Sequence, residues 1–249
     1  AVDFGLSELC EKKNTLIQVN AYDANLNPVE ADISFECFGT VCEIGKTDLI
    51  SGLNEEFPQC VNGLFLASAE GFEDARQIYS TIESGNVDII MNRLYEMDVD
   101  LKLSGRDYSG SAVISFISDS NSKTIVYPEQ RSVELSEGQY EIQVSIFRNS
   151  SLRLGATSSE YCVEKPRSGL GGIFGLTDEE CFDVEMPAQI ISNALAGGGK
   201  ENYYILESEL RGSNVVEISV QSLPIPTTIE QLQDNYLLFE DKGLEVGFR

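Results

Sequence analysis

Val29, Ala31, Ile33, Phe35 and Cys37 alternate with Glu30, Asp32, Ser34 and Glu36. That unbroken period of two predicts a strand with one buried and one wet face. Ile17, Val19 and Ala21 alternate the same way inside Thr15–Tyr22. The Asp/Asn/Pro cluster from Asp23 to Pro28 predicts a turn joining two strands of one sheet. Gly63–Phe72 reads as a third strand and Val87–Met91 as another, while Glu73–Ser84 fits loop or strand equally.

A second strand-rich block follows. Met97, Val99, Leu101 and Leu103 alternate with polar residues, and Ala112–Ile117, Thr124–Tyr127, Ser132–Leu135 and Tyr140–Phe147 succeed one another at short intervals. Short strands separated by Gly, Ser, Asn and Asp clusters predict a sandwich or a barrel. Beyond residue 160 the pattern weakens. Ala188–Ala196 reads as a helical turn stopped by Gly197-Gly-Gly199, and Glu201–Leu210 with Asn214–Gln221 as a hairpin around Arg211-Gly-Ser213. After Pro224-Ile-Pro226, Thr227-x-x-Glu230 has the form of a capping box. Ile229, Leu232, Tyr236 and Leu237 then share one helical face, and Leu244–Phe248 returns as a last strand.

The pattern therefore predicts an all-β chain: two or three antiparallel β-sandwich modules in tandem, with one short C-terminal helix. The expected divisions are a lead-in over 1–14, a sandwich over 15–96, and a second sandwich region over 97–249 that could split near 160.

Charge narrows the partners. Seventeen Lys and Arg face 41 Asp and Glu, a formal charge of -24. Such a field repels phosphate backbones and anionic lipid, which argues against nucleic acid and against membrane surfaces as partners. No run of apolar residues is long enough to insert into a bilayer. Acids on the wet faces of strands account for the charge as a solvated surface; a role in cation binding or in high salt is the sharper alternative. The chain opens Ala1-Val2-Asp3 without a hydrophobic leader. A mature secreted chain after signal removal fits this, as does a fragment of a longer protein.

Six cysteines occur and no histidine. No two are spaced CxxC, so disulfides in an oxidising compartment are the better reading, with a four-thiolate zinc site the formal alternative. Cys162 and Cys181 enclose the glycine-rich segment Ser168–Gly175 and stand apart from the others, so they are expected to pair. Such a loop closure contributes about 3 kcal/mol in the chain-entropy picture. For the remaining four the expected pairing is Cys10–Cys60 with Cys37–Cys42.

Catalytic motifs are scarce. Without histidine there is no Ser-His-Asp triad, Cys-His pair or HExxH site. Ser120-Asn-Ser-Lys123 matches S-x-x-K but sits in a polar tetrapeptide between strands. The glycines of 168–175 lack the Lys-Ser/Thr of a phosphate loop. Two turns, Asp23/Asn25/Asn27 and Asp119/Asn121, carry alternate oxygens that could converge on calcium; the competing explanation is that Asp and Asn cap their own turns. No other cofactor is indicated. Asn149-Ser-Ser151 is a glycosylation sequon at Asn149. Tryptophan is absent, which disfavours a sugar platform, although Tyr203 and Tyr204 could supply one.

Strand, Tyr22-Asp-Ala-Asn-x-Asn-Pro28-Val, alternating strand, Thr47-Asp turn, lone Gly63 and Ala69-Glu-Gly-Phe72 together resemble the carboxypeptidase-regulatory-like domain, a transthyretin-like β-sandwich. Val133-Glu-Leu-Ser-Glu-Gly138-Gln-Tyr140-Glu-Ile-Gln-Val144 resembles the strand pair of PEGA-type domains. The resemblance covers 15–96 and, loosely, 98–155, and it implies microbial, typically archaeal, cell-surface proteins. Its motifs are turns, not catalytic centres. Some such relatives carry a Lys–Asn isopeptide bond; Lys12 and Lys13 lie near the first strand, with no matching Asn or acid.

The sequence thus points to a non-enzymatic extracellular or cell-surface structural protein: a subunit of a filament, envelope layer or adhesive appendage whose partners are itself or other surface proteins. The alternative is a glycan- or protein-binding module of a larger surface protein.

Overall fold

The computed structural model describes residues 6–119, 121–166, 177–186 and 188–249. Ser120 of the S-x-x-K match and the glycine-rich Ser168–Gly175 lie outside them. The chain is all-β with a few short helices.

The first seven strands form two facing sheets. β1 (Lys13–Asp23), β4 (Leu53–Pro58) and β7 (Gly85–Met91) make one, in the order β4-β1-β7. β2 (Asp32–Cys37), β3 (Thr40–Lys46), β5 (Gly63–Ser68) and β6 (Ala75–Tyr79) make the other, in the order β3-β2-β5-β6. Every second residue of β1 from Thr15 to Asp23 is buried, as the alternation demands. Between the sheets Phe35, Phe57 and Phe65 meet with ring centroids 4.9–5.5 Å apart, within the range for attractive aromatic packing. The Asp23–Pro28 turn connects strands of different sheets, not of one. β1 pairs with β4 and, in parallel, with β7, while β2 crosses to the other layer. A short lead-in helix, α1 (Leu6–Glu11), precedes β1.

The register explains the disulfides. Phe38 (φ 51°) and Gly39 (φ 77°) form a two-residue turn between β2 and β3, with positive φ at both positions as a type I′ hairpin requires. That turn sets Cys37 opposite Thr40 and Cys42 opposite Phe35. Cys37 and Cys42 are therefore diagonal neighbours, about 7–8 Å apart at such positions, too far for a bridge. The expected Cys37–Cys42 and Cys10–Cys60 pairs are replaced by Cys10–Cys42, tying α1 to β3, and Cys37–Cys60, which runs through the core. Cys162 is joined to Cys181, the pair read from the sequence. With all six sulfurs bonded, the four-thiolate zinc alternative falls.

The second group of strands comprises β8 (Tyr95–Leu103), β9 (Arg106–Asp107), β10 (Ala112–Ile117), β11 (Ser122–Tyr127), β12 (Ser132–Leu135), β13 (Gly138–Leu154), β16 (Gln189–Ile205), β17 (Val215–Ser222) and β18 (Glu245–Phe248). One layer runs β11-β10-β13-β16 and the other β18-β17-β8-β12; they join where Gly197 and Gly198 pair with Ser222 and Gln221. Their shared core includes Met97, Ile114, Phe116, Leu135, Ile142 and Ile218, all essentially inaccessible. β14 (Thr157–Pro166) and β15 (Thr177–Met186) form a separate two-stranded ribbon.

Two expectations after residue 188 fail. Of the expected helical turn Ala188–Ala196, all but Ala188 belongs to β16. From Ala194 to Gly199 it is buried on both faces, so no period of two survives. The hairpin expected around Arg211 is instead a helix, α2 (Glu207–Gly212), followed by β17 running parallel to β8. Glu209 accepts from the Leu206 N–H at 3.0 Å, closing the first turn of α2. The last helix, α3 (Ile229–Asp241), starts one residue later than expected. Thr228 is its N-cap, accepting from the Gln231 N–H, while Thr227 donates to the Gln231 side chain. Its inward residues are Asn235 and Phe239; Tyr236 and Leu237, expected inside, are exposed. The Asn235 amide donates to the Leu195 and Pro224 carbonyls at 2.7 and 2.8 Å, which makes a polar residue the one that can be buried there.

Gly198 sits at φ +126°, and a Cβ there would lie 1.9 Å from the Val144 carbonyl oxygen. Gly212 has open space around it. Gly198→Ala is expected to lower stability by about 1–3 kcal/mol through strain and overpacking, and Gly212→Ala to stay within about 0.5 kcal/mol. Urea unfolding of both variants measures the contrast.

Candidate functional site

Two regions set themselves apart: the junction between the sandwiches and the β14–β15 ribbon.

Only Asn92, Arg93 and Leu94 separate β7 from β8, and this link is itself paired. The Glu73 N–H donates to the Asn92 carbonyl and the Leu94 N–H to the Gly71 carbonyl, both at 2.8 Å. The Arg93 guanidinium lies 4.9 Å from the Phe72 ring centroid, a cation–π contact. Ser136 donates to Glu73 at 2.9 Å. On the other flank Glu207 accepts from Tyr95 at 2.9 Å, from Arg211 at 2.8 Å and from the Asn25 amide at 3.5 Å. The Tyr95 hydroxyl, with Arg211 behind it, holds the Glu207 carboxyl below its ordinary range against a smaller desolvation effect. Beside the junction opens a cleft of about 670 Å³, lined by Phe72, the carboxylates Glu73, Asp74 and Asp119, the Asn121 amide and the cations Arg76 and Lys123.

The calcium candidates divide. Asp23 Oδ1 accepts from the N–H groups of Asn25 and Asn27 at 2.9 and 2.8 Å, and Oδ2 accepts from the Asn27 amide at 2.9 Å. Burial alone would raise this carboxyl; the hydrogen bonds, with Arg93 nearby, outweigh it and hold the pKa below the ordinary value. Asp23 therefore caps its own turn, while the Asn25 amide turns away toward Glu207. In the second turn Asn121 Oδ1 accepts from the Ser122 N–H at 2.8 Å, and Asp119 and Asn121 face the cleft. The two candidate groups are not brought together. Among the described residues, the grouping with metal-type ligand atoms is Glu160 with Cys162 and Cys181, whose sulfurs are bonded to each other.

Asn149 is exposed on β13 opposite Asn193, at a bulge where the register slips before Leu152. Tyr203 and Tyr204, adjacent on β16, take opposite faces. Tyr203 donates to Glu209 at 2.8 Å, whereas Tyr204 is exposed, so they form no common platform. Lys13 reaches a backbone carbonyl, that of Glu43, at 3.4 Å, not a carboxamide.

The ribbon was not legible as a site. Its register sets Cys162 directly opposite Cys181, Tyr161 opposite Phe182, Glu160 opposite Asp183 and Glu164 opposite Glu179. Alternation puts the disulfide and those four carboxylates on one face, and Tyr161 and Phe182 on the other. Tyr161 is 65% and Phe182 44% exposed, and the Lys165 ammonium lies over the Phe182 ring at 5.3 Å. Like charges directly opposite destabilise a pair of strands, and an isolated two-stranded ribbon is marginal in water. The Cys162–Cys181 staple offsets both.

No family model matches the chain, and no curated protein matches it. Solved structures with some likeness include a streptococcal ancillary pilin, 10% identical, covering 86% of this chain at a TM-score of 0.32. This chain spans 64% of that pilin's length. The shaft pilin SpaA of Lactobacillus rhamnosus GG is 9% identical, with 85% of this chain and 97% of that chain covered and a TM-score of 0.22. A leucine-rich repeat protein of Bacteroides thetaiotaomicron is also similar at 9% identity, over 86% of this chain and 26% of that one, with a TM-score of 0.20. Scores this low carry no argument about chemistry. No helix among the described residues is long and apolar enough to cross a membrane.

Asp23→Ala removes three hydrogen bonds from the turn and is expected to cost about 1–2 kcal/mol near neutral pH. Because the native pKa is depressed, the ionised-state contribution is complete above about pH 5 and is lost as pH falls through the native value. Denaturant unfolding at a series of pH values checks this: the gap between wild type and variant narrows toward acid.

Proposed function

We propose that this protein is a non-enzymatic structural subunit of the cell surface or extracellular space, built to contact copies of itself or other surface proteins. The observation that carries the reading is the β14–β15 ribbon. It is stapled, two-stranded, unpaired at both edges among the described residues, and presents Tyr161 and Phe182 to solvent. Open strand edges and exposed aromatics are the usual means of adding one sheet to another. Three disulfides support an oxidising compartment. In this reading the chain is two tandem units, divided at the β7–β8 link and not after residue 96, because Tyr95 and Glu96 already pair with β12 as part of β8. The seven strands of the first, with the self-capped Asp23 turn, support its placement with carboxypeptidase-regulatory-like sandwiches and the microbial surface setting those imply.

A second reading, recognition of a glycan or partner protein, is favoured by the cleft at the junction, where Phe72 lies among carboxylates, the Asn121 amide and the cations Arg76 and Lys123. Binding on a glycan array that is lost in Phe72→Ala would favour it over assembly.

For the structural reading, the purified chain is expected to form regular contacts burying more than about 1,000 Å². Tyr161→Ser/Phe182→Ser is expected to abolish them while leaving the melting temperature of the sandwiches unchanged. Sedimentation and light scattering measure this; monomers at every salt and calcium concentration count against the reading.

A further inference from the structure

We infer that the first sandwich is a tension-bearing element whose extension is capped by its two overlapping disulfides. The inference goes beyond the structural role proposed above by assigning that role a load. Two features of the topology carry it.

The first is the pairing of β1 with β7. They are adjacent and parallel, in register from Ile17↔Gly85 to Asp23↔Met91. The chain enters β1 at one end of this ladder and leaves β7 at the other. Tension between the N-terminal side and Met91 therefore pulls β7 lengthwise past β1, which is held with the body of the sandwich that the Cys10–Cys42 bridge anchors, and the ladder hydrogen bonds are loaded together. Opening from one end would load them one at a time.

The second is the nesting of the bridges. Cys10–Cys42 and Cys37–Cys60 span 32 and 23 residues, and their loops overlap over residues 37–42. Once β7 slips, the taut covalent path runs from Cys10 to Cys42, back to Cys37, across to Cys60 and on to Met91. It contains thirty-six residue steps, against eighty-one for the unbridged chain from Cys10 to Met91. β1, β2 and β4 lie in the bypassed loops and stay off the taut path.

The test is single-molecule force extension of the full chain between marker domains. At roughly 3.5 Å per residue, full reduction should lengthen the first-sandwich event by about 150 Å. Cys10→Ser/Cys42→Ser should lengthen it by about 70 Å and Cys37→Ser/Cys60→Ser by about 40 Å. These two do not sum to the full effect because the loops overlap. The disulfide variants keep the test open should full reduction unfold the sandwich. A handle at exposed Leu26 in place of the N-terminal one loads the β1–β7 ladder from a single end, and should give a lower rupture force. An oxidised event of the full eighty-one-residue length, additive bridge effects, or an equal or higher force from Leu26 would overturn the inference. A protein that never assembles yet shows the capped extension would sink the structural-subunit reading and leave this one standing.

Discussion

Two sheets of three and four strands offer each other little apolar area, and the first sandwich depends on what fills the space between them. Phe35, Phe57 and Phe65 fill it, and the Cys37–Cys60 bridge runs from the end of β2 to the loop just after β4. Around that centre the polar groups that must go inside are satisfied locally. Thr47 donates to the Val29 carbonyl and accepts from the Ala31 N–H, each at 2.8 Å. Thr81 does the same for the Pro58 carbonyl and the Cys60 N–H, at 2.6 and 3.0 Å. Both hydroxyls pin a strand end to a loop, so the layers are fixed laterally as well as face to face.

The second sandwich solves a different problem. Its two layers come from distant parts of the chain and must be brought to one edge. β16 achieves this by discarding side chains: Ala196 to Gly199 is small enough for β17 to approach on its edge and α3 on its outer face. A Cβ at Gly199 would stand 2.4 Å from the Lys242 carbonyl oxygen. The end of α3 and the middle of β16 are thus held at backbone contact distance.

Strands with one wet face were legible in the sequence, and those without were not. β1, β2, β8 and β12 follow the alternation almost residue by residue. β4 has no period of two to read, because Leu53 and the adjacent Phe57 and Pro58 are buried at the two ends of an exposed Asn-Glu-Glu run. β16 was misread because burial on both faces erases periodicity. Gly63 stood out as a lone glycine, and the structure gives the reason: a Cβ there would lie 2.2 Å from the Phe35 ring. The crossed disulfides were hidden because pairing depends on hairpin register, which the two residues Phe38-Gly39 decide. The calcium candidates were ambiguous because the same oxygens serve a cation or a turn, and at Asp23 the hydrogen bonds belong to the turn. The ribbon carried the weakest pattern of all. Its residues of described burial, 160–165, 179 and 181–183, include none that is buried, so nothing marks an inner side.

The complete bonding of the six sulfurs has a consequence for electrostatics. Free thiols and imidazoles are the side chains whose ordinary pKa values fall between the carboxylates and the phenols and amines. This chain has no histidine and no free cysteine. No side chain of a type whose ordinary pKa lies near neutral is left free to titrate. Screening by salt is accordingly the solution condition expected to act most on its negative surface field near neutral pH.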